Sequence, residues 1–264
     1  MIAPTMTSPG IQVTVADGIA TVVLDNPESR NAITRAMCLA IQDAMPRLER
    51  DPDVMLVALR GAGRTFSSGA QLTELSSILM DRTEEGVVDQ LSRADRAIAS
   101  LSKPTVALVD GPCMGGGWQL ASACDFIVAS ERSTVGITPA KLGILYPRSG
   151  VDRLVGQVGA AAAKYILFMA ETFQAARARE LGLIAEVVPD DEFDRRCDEL
   201  LVTLRGRSRF TIHTMKRVID LPSDDPHLDA EWQAAWDAMA EGPDMAIGIA
   251  GFLGRETPRF SWRP

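Results

Sequence analysis

Three consecutive glycines, Gly115-Gly116-Gly117, stand between an apolar run and the helical segment Trp118–Ala123. Glycines let a backbone come close to a ligand, and a helix N-terminus presents unpaired N–H groups with a partial positive charge. Such a place can hold an oxyanion or a phosphate; the plainer alternative is a tight turn from strand to helix. A second loop, Gly61-Ala62-Gly63-Arg64-Thr65-Phe66-Ser67-Ser68-Gly69-Ala70-Gln71-Leu72, also follows an apolar run. Two such loops at adjacent strand ends can aim two backbone N–H groups at one point, which is the geometry that stabilises a developing oxyanion. Neither phosphate-loop nor dinucleotide glycine motif occurs in a strand–helix context, and the G-x-S-x-G nucleophile pattern is absent around Ser67 and Ser68. His213 and His227 lie in the C-terminal helical region without metal-ligand spacing, and read as solvated or core-capping residues. Cys38, Cys113, Cys124 and Cys197 show no CxxC spacing and read as buried, reduced thiols. No metal site is expected.

The elements that must position these loops follow from hydropathy. Strands are expected at Ile11–Val15 and Ala20–Leu24 around the turn Asp17-Gly18. Met37, Ala40, Ile41, Ala44, Met45 and Leu48 form one stripe of a helix over Thr34 to Leu48. A buried strand at Val54–Leu59 leads into the first glycine loop. Val87, Leu91, Ala94, Ile98 and Leu101 give the next helical stripe, then come strands at Thr105–Val109, Phe126–Ala129 and Ile184–Val188. This alternation predicts an α/β fold with mainly parallel strands. From about residue 191 the pattern is helical only, and its Trp232, Trp236, Met239 and Phe252 need a surface to pack on. The expected division is a core over 1–190 and a helical region over 191–264, which serves as an oligomerisation interface or as a lid over the core.

Composition narrows the classes. The chain has 264 residues, is 46% hydrophobic and 23% charged, and carries a net charge of −8, so an ordinary globule without a nucleic-acid surface is expected. A small phosphorylated ligand is still admissible, since it needs only a few local cations. Met1 to Gly10 lacks the basic and apolar regions of a signal peptide, and no stretch approaches the roughly 18 apolar residues of a membrane span. A cytoplasmic protein is expected.

Several segments together resemble the crotonase (enoyl-CoA hydratase/isomerase) superfamily. They are Leu24-Asp25-Asn26-Pro27 with Asn31-Ala32, the loop from Gly61 to Ala70, and Lys103-Pro104-Thr105. The stretch from Gly111 through the glycine triplet to Cys124-Asp125, and the tail Phe252-Leu253 with Pro258-Arg259-Phe260, complete the pattern. The resemblance implies a ββα spiral core with C-terminal helices that build a homotrimer or a dimer of trimers. It implies a coenzyme A thioester as substrate, with no separate cofactor. Its two oxyanion donors fall on the backbone of Ala70 and Gly116, its acyl and thioester contacts on Gln71, Leu72 and Pro139, and a CoA-phosphate contact on Arg255.

The same resemblance exposes two departures. Hydratases of the family use two glutamates, and the matching positions here hold Gln119 and Pro139. An amide orients a water or a carboxylate but does not exchange protons at neutral pH. Thr138-Pro139-Ala140-Lys141-Leu142-Gly143-Ile144-Leu145-Tyr146 with Ser149-Gly150-Val151 is similar to the methylmalonyl-CoA decarboxylase branch, where loss of CO2 makes the enolate without a base. There Tyr146 would orient the carboxylate or donate a proton, with Gln119 bonded to it; otherwise Tyr146 is a packing residue. Glu74 and Asp152 are the candidate replacement acids. Three readings stand: a hydratase/isomerase-type enzyme working through an enolate, a malonyl-type decarboxylase, and a silent acyl-CoA-binding member.

Overall fold

The computed structural model describes residues 6–8, 10–222 and 224–263, so within the Met1–Gly10 stretch residues 1–5 and 9 lie outside it. In chain order the elements are β1 (Met6–Ser8), β2 (Ile11–Ala16), β3 (Ile19–Leu24), α1 (Arg35–Arg50), β4 (Leu56–Gly61), α2 (Leu75–Leu79), β5 (Asp81–Thr83), β6 (Gly86–Val88), α3 (Gln90–Ala99), β7 (Thr105–Val109) and β8 (Pro112–Met114). There follow α4 (Gly116–Ala121), β9 (Phe126–Ser130), β10 (Thr134–Gly136), α5 (Arg148–Met169), β11 (Thr172–Gln174), α6 (Ala175–Glu180), β12 (Glu186–Val188), α7 (Phe193–Arg205), α8 (Arg209–Asp220), α9 (Leu228–Glu241) and α10 (Asp244–Gly254).

Asp17 and Gly18 take φ of 50° and 81°, the primed-turn backbone whose twist matches the flanking strands, so β2 and β3 close as a hairpin. The main sheet runs β1-β2-β3-β4-β7-β9-β12 and is parallel from β3 onward. All five residues of β7 are buried, as a strand covered on both faces requires. Side chains alternate between two cores: Val57, Leu59, Ala107 and Val109 face α1 and α3, while Leu56, Ala58, Val106 and Leu108 face Phe193, Cys197 and Leu201 of α7. Thr34 caps α1 by accepting from the Met37 N–H, and Asp89 caps α3 by accepting from the Ser92 N–H.

That cap corrects the expected stripe of the second helix. Val87 belongs to β6, ahead of the capping Asp89, and is exposed. The helix after the triplet starts at Gly116 and ends at Ala121. A second sheet, ordered β11-β10-β8, has no counterpart in the hydropathy pattern: its three-residue strands are too short for a period of two. After β12 the described residues hold helices only, and Trp232 and Trp236 meet edge to face with centroids 6.1 Å apart. Among the described residues no helix is long and apolar enough to cross a membrane.

Candidate active site

The glycine loop after β4 is pinned from both sides. The buried Asn31, in left-handed backbone at φ 54°, donates from Nδ2 to the carbonyls of Ala62 (2.9 Å) and Thr65 (2.7 Å). Farther along, the Ser67 N–H donates to the Pro112 carbonyl at 3.0 Å and the Met114 N–H to the Ser67 carbonyl at 2.9 Å, which ties the loop to β8. Ala70 forms a parallel bridge with Ile33 in which Ile33 bonds Gly69 and Gln71 bonds Ile33. The N–H of Ala70 therefore points away from that partner.

The second donor comes from the triplet. Gly115 caps α4 at φ 48° and donates its own N–H to the Gly136 carbonyl, leaving Gly116 as the first residue of the helix, where an N–H has no intrahelical acceptor. Gly116 faces Ala70: a Cβ placed on it would lie 3.1 Å from the Ala70 nitrogen. No acceptor takes either N–H among the described residues. The two loops thus bring two free backbone donors to one mouth.

A cavity opens at this mouth. Of the residues anticipated from sequence, Ala70, Leu72, Gly116, Pro139 and Tyr146 line it, with Leu75, Leu79, Leu91, Leu142 and Leu145 making its walls apolar. Among the described residues, Tyr146 is the only ionisable one in the lining. Burial, more than any neighbour, pushes its phenol far above the ordinary value, so it stays neutral. Gln71, Gln119 and Arg255 do not line the cavity. Gln71 spends its N–H on Ile33, and Arg255 is exposed in left-handed backbone at the end of α10.

Gln119 is buried one turn below Gly116, and its amide nitrogen donates to Asp95 and to Ser149 Oγ (3.1 Å) rather than toward Tyr146. Asp95, on α3, also accepts from Ser149 Oγ and from Arg153 Nη2, each at 2.8 Å. No motif in the sequence marks this buried carboxylate. The signal for it was a charge on the apolar stripe of α3, between Leu91 and Ile98.

The two candidate replacement acids are engaged elsewhere. Glu74 Oε2 accepts from the Arg35 N–H at 3.0 Å, and Asp152 pairs with Arg148 at 2.7 Å on the exposed side of α5. His213 packs 5.5 Å from the Trp262 ring, with burial lowering its pKa, and His227 is exposed ahead of α9. All four cysteines are buried and free. No group of His, Cys, Asp and Glu suited to a metal occurs among the described residues.

Comparison with known proteins identifies the family and the fold. Residues 14–262 match the family described as enoyl-CoA hydratase/isomerase. The chain is 30% identical to enoyl-CoA isomerase/hydratase fer4 of Mycosarcoma maydis, over 92% of this chain and 93% of that protein. It is 27% identical to the 2,3-dehydroadipyl-CoA hydratase of Escherichia coli K12, over 91% and 94%. A crystal structure of an enoyl-CoA hydratase/isomerase family member superposes with a TM-score of 0.93 at 59% identity, covering 96% of this chain and 98% of that one.

Proposed function

The chain belongs to the enoyl-CoA hydratase/isomerase family, and from that premise we propose that it acts on an acyl-CoA thioester by stabilising an enolate. The thioester oxygen takes hydrogen bonds from the N–H groups of Ala70 and Gly116. Negative charge grows on that oxygen as the enolate forms, so both bonds strengthen along the reaction. Each such donor contributes about 10²–10³ in rate. The observation that carries this reading is the pair of unpartnered N–H groups, on Ala70 and Gly116, that the two loops bring together at the cavity mouth. The apolar walls suit an acyl chain, and the thioester is substrate rather than cofactor. The helices over 191–264 serve as the oligomerisation region of a homotrimer or a dimer of trimers, and Arg255, exposed at the end of α10, is the contact proposed for CoA phosphate groups.

A second reading, decarboxylation of a malonyl-type thioester, draws support from the lining: among the described residues no carboxylate or imidazole lines the cavity, and loss of CO2 generates an enolate without a base. Incubation with crotonyl-, malonyl- and methylmalonyl-CoA, followed by mass spectrometry and thermal melts, separates the cases. The proposal expects a raised Tm with thioesters and conversion of at least one of them. Stabilisation without turnover of any would assign the chain to acyl-CoA binding alone. Absence of any Tm shift would sink the thioester reading.

A further inference from the structure

Two acids bracket α2, and one residue holds both. Glu74, just ahead of α2, accepts from the Arg35 N–H at 3.0 Å. Asp81, just beyond it, accepts from Arg35 Nε at 2.8 Å and from Nη2 at 2.7 Å. Arg35 is the first residue of α1, so its N–H has no acceptor within that helix, and the helix dipole favours a carboxylate there. Asp81 is only 8% exposed, and Gln90 at the start of α3 donates to the same oxygen at 2.7 Å. Gln42 of α1 donates to Gln90 Oε1 at 3.1 Å, which turns the Gln90 NH2 toward Asp81. An ion pair in open water holds little, but this carboxylate is withdrawn from water and depends on its donors.

Hydrophobic burial fixes α2 only weakly. The turn Leu72–Glu74 buries none of its side chains, α2 buries Ile78 alone, and the β5–β6 hairpin beyond carries the exposed pair of Glu85 and Arg93. Yet Leu72, Leu75 and Leu79 form one wall of the cavity. Two residues before Arg35, Ile33 bonds the glycine loop on both sides of Ala70. The segment Ile33-Thr34-Arg35 therefore holds the Ala70 loop at one end and the leucine wall at the other. It is itself seated by α1, whose Met37, Cys38 and Ile41 are fully buried.

We propose that Arg35 is a positioning residue that fixes the leucine wall before a thioester arrives, so that the acyl cavity is preformed rather than closed by its ligand. This deepens the thioester reading above and rests on it. A wall ordered in advance spares the ligand the free energy of ordering it, so each buried methylene adds its full increment, about fourfold in affinity. With the pin removed, acyl chains long enough to reach α2 must order the wall themselves, and a two-carbon acyl group need not. Arg35 does not line the cavity; it acts through Asp81 and α2.

Amide hydrogen exchange, and isothermal titration with acetyl-CoA and octanoyl-CoA, test this in the wild type, Arg35→Met and Arg35→Lys. Methionine keeps the N–H that Glu74 accepts and removes the bonds to Asp81. In the wild type, octanoyl-CoA should change exchange over residues 75–83 by less than about threefold. In free Arg35→Met the same residues should exchange at least about tenfold faster than in free wild type, with β4 and β7 unchanged. Arg35→Met should weaken octanoyl-CoA at least about fivefold and acetyl-CoA less than about twofold, and Arg35→Lys should recover part of the loss. A merely structural role would weaken both thioesters alike, and that result would overturn the proposal. So would unaltered exchange in folded Arg35→Met, or a wild-type wall that becomes protected only when octanoyl-CoA binds. If Arg35→Met does not fold, Asp81→Asn, which keeps the size of the side chain, is read against the same outcomes. Failure of both thioesters to bind the wild type would overturn the thioester reading and this inference with it, whereas unaltered exchange strikes the inference alone.

Discussion

Gly117 and Ser67 approach so closely that a Cβ on Gly117 would stand 2.5 Å from the Ser67 Cβ and 2.8 Å from its hydroxyl. The helix after the triplet is therefore seated against the first glycine loop by the absence of one carbon. Gly117→Ala must part the two loops or strain them. It is expected to cost about 1–3 kcal/mol of stability, the usual penalty for overpacking, and to weaken thioester binding. Urea denaturation and titration with a CoA thioester check both.

Asn31 offers a second handle on the same geometry. Asn31→Ala leaves the Ala62 and Thr65 carbonyls without their donor and puts alanine into left-handed backbone. A loss of about 2–4 kcal/mol is expected from the missing bonds and the backbone penalty together. Because the loop carries the Ala70 N–H, kcat should fall more than KM rises. Asn31→Gly relieves the backbone but not the bonds, and should recover only the smaller part of the stability.

Asp110, just beyond β7, is held by two bonds from Arg132 (2.7 and 2.8 Å) and one from Ser130. Burial raises its pKa, but the hydrogen bonds and charge of Arg132 with the Ser130 bond outweigh this, so the carboxyl sits below its ordinary 3.8. A folded pKa below the unfolded one gives stability that is complete above about pH 4 and lost as pH falls through the folded value. Arg132→Ala should cost about 2 kcal/mol at pH 7 by leaving a mostly buried carboxylate unpaired. The gap to wild type should shrink below pH 4. Thermal melts from pH 7 to pH 3 read this directly.

The cysteines give an inexpensive check on the core. Burial, as the leading cause, pushes Cys38, Cys124 and Cys197 up to about 12, and Cys113 is raised as well. At pH 8 roughly one thiol in 10⁴ is then a thiolate. Native protein should show no fast reaction with a thiol-specific disulfide reagent, and four equivalents should react once it is denatured.

Hydrophobic pattern made the large elements legible. The β7 range of Thr105–Val109 follows from a run of residues buried on both faces, and the stripe from Met37 to Leu48 forms the buried face of α1. The strands β8, β10 and β11 were not legible, since three residues carry no period. Val87 fitted the helical spacing of α3, but the capping Asp89 was the better signal for where that helix begins. At the site, loop composition alone points to two glycine-rich strand ends, whereas Ala70, Leu72, Gly116, Pro139 and Tyr146 are singled out only through the family resemblance of the segments that carry them; all five line the cavity. Asp95 is singled out by neither: it meets Gln119 only through the packing of α3 on α4, a contact between residues 24 apart in sequence.

The loops that carry Ala70 and Gly116 are tied to each other by main-chain bonds across Ser67, Pro112 and Met114. Their two N–H groups are properties of the chain path, indifferent to most side-chain changes around them. Point mutation can rewrite the acids, amides and phenols below while the anchor proposed for the thioester persists. Inheritance of the anchor and invention of the reaction are thereby uncoupled, and a lineage can lose one chemistry and acquire another without passing through a chain that no longer holds its substrate.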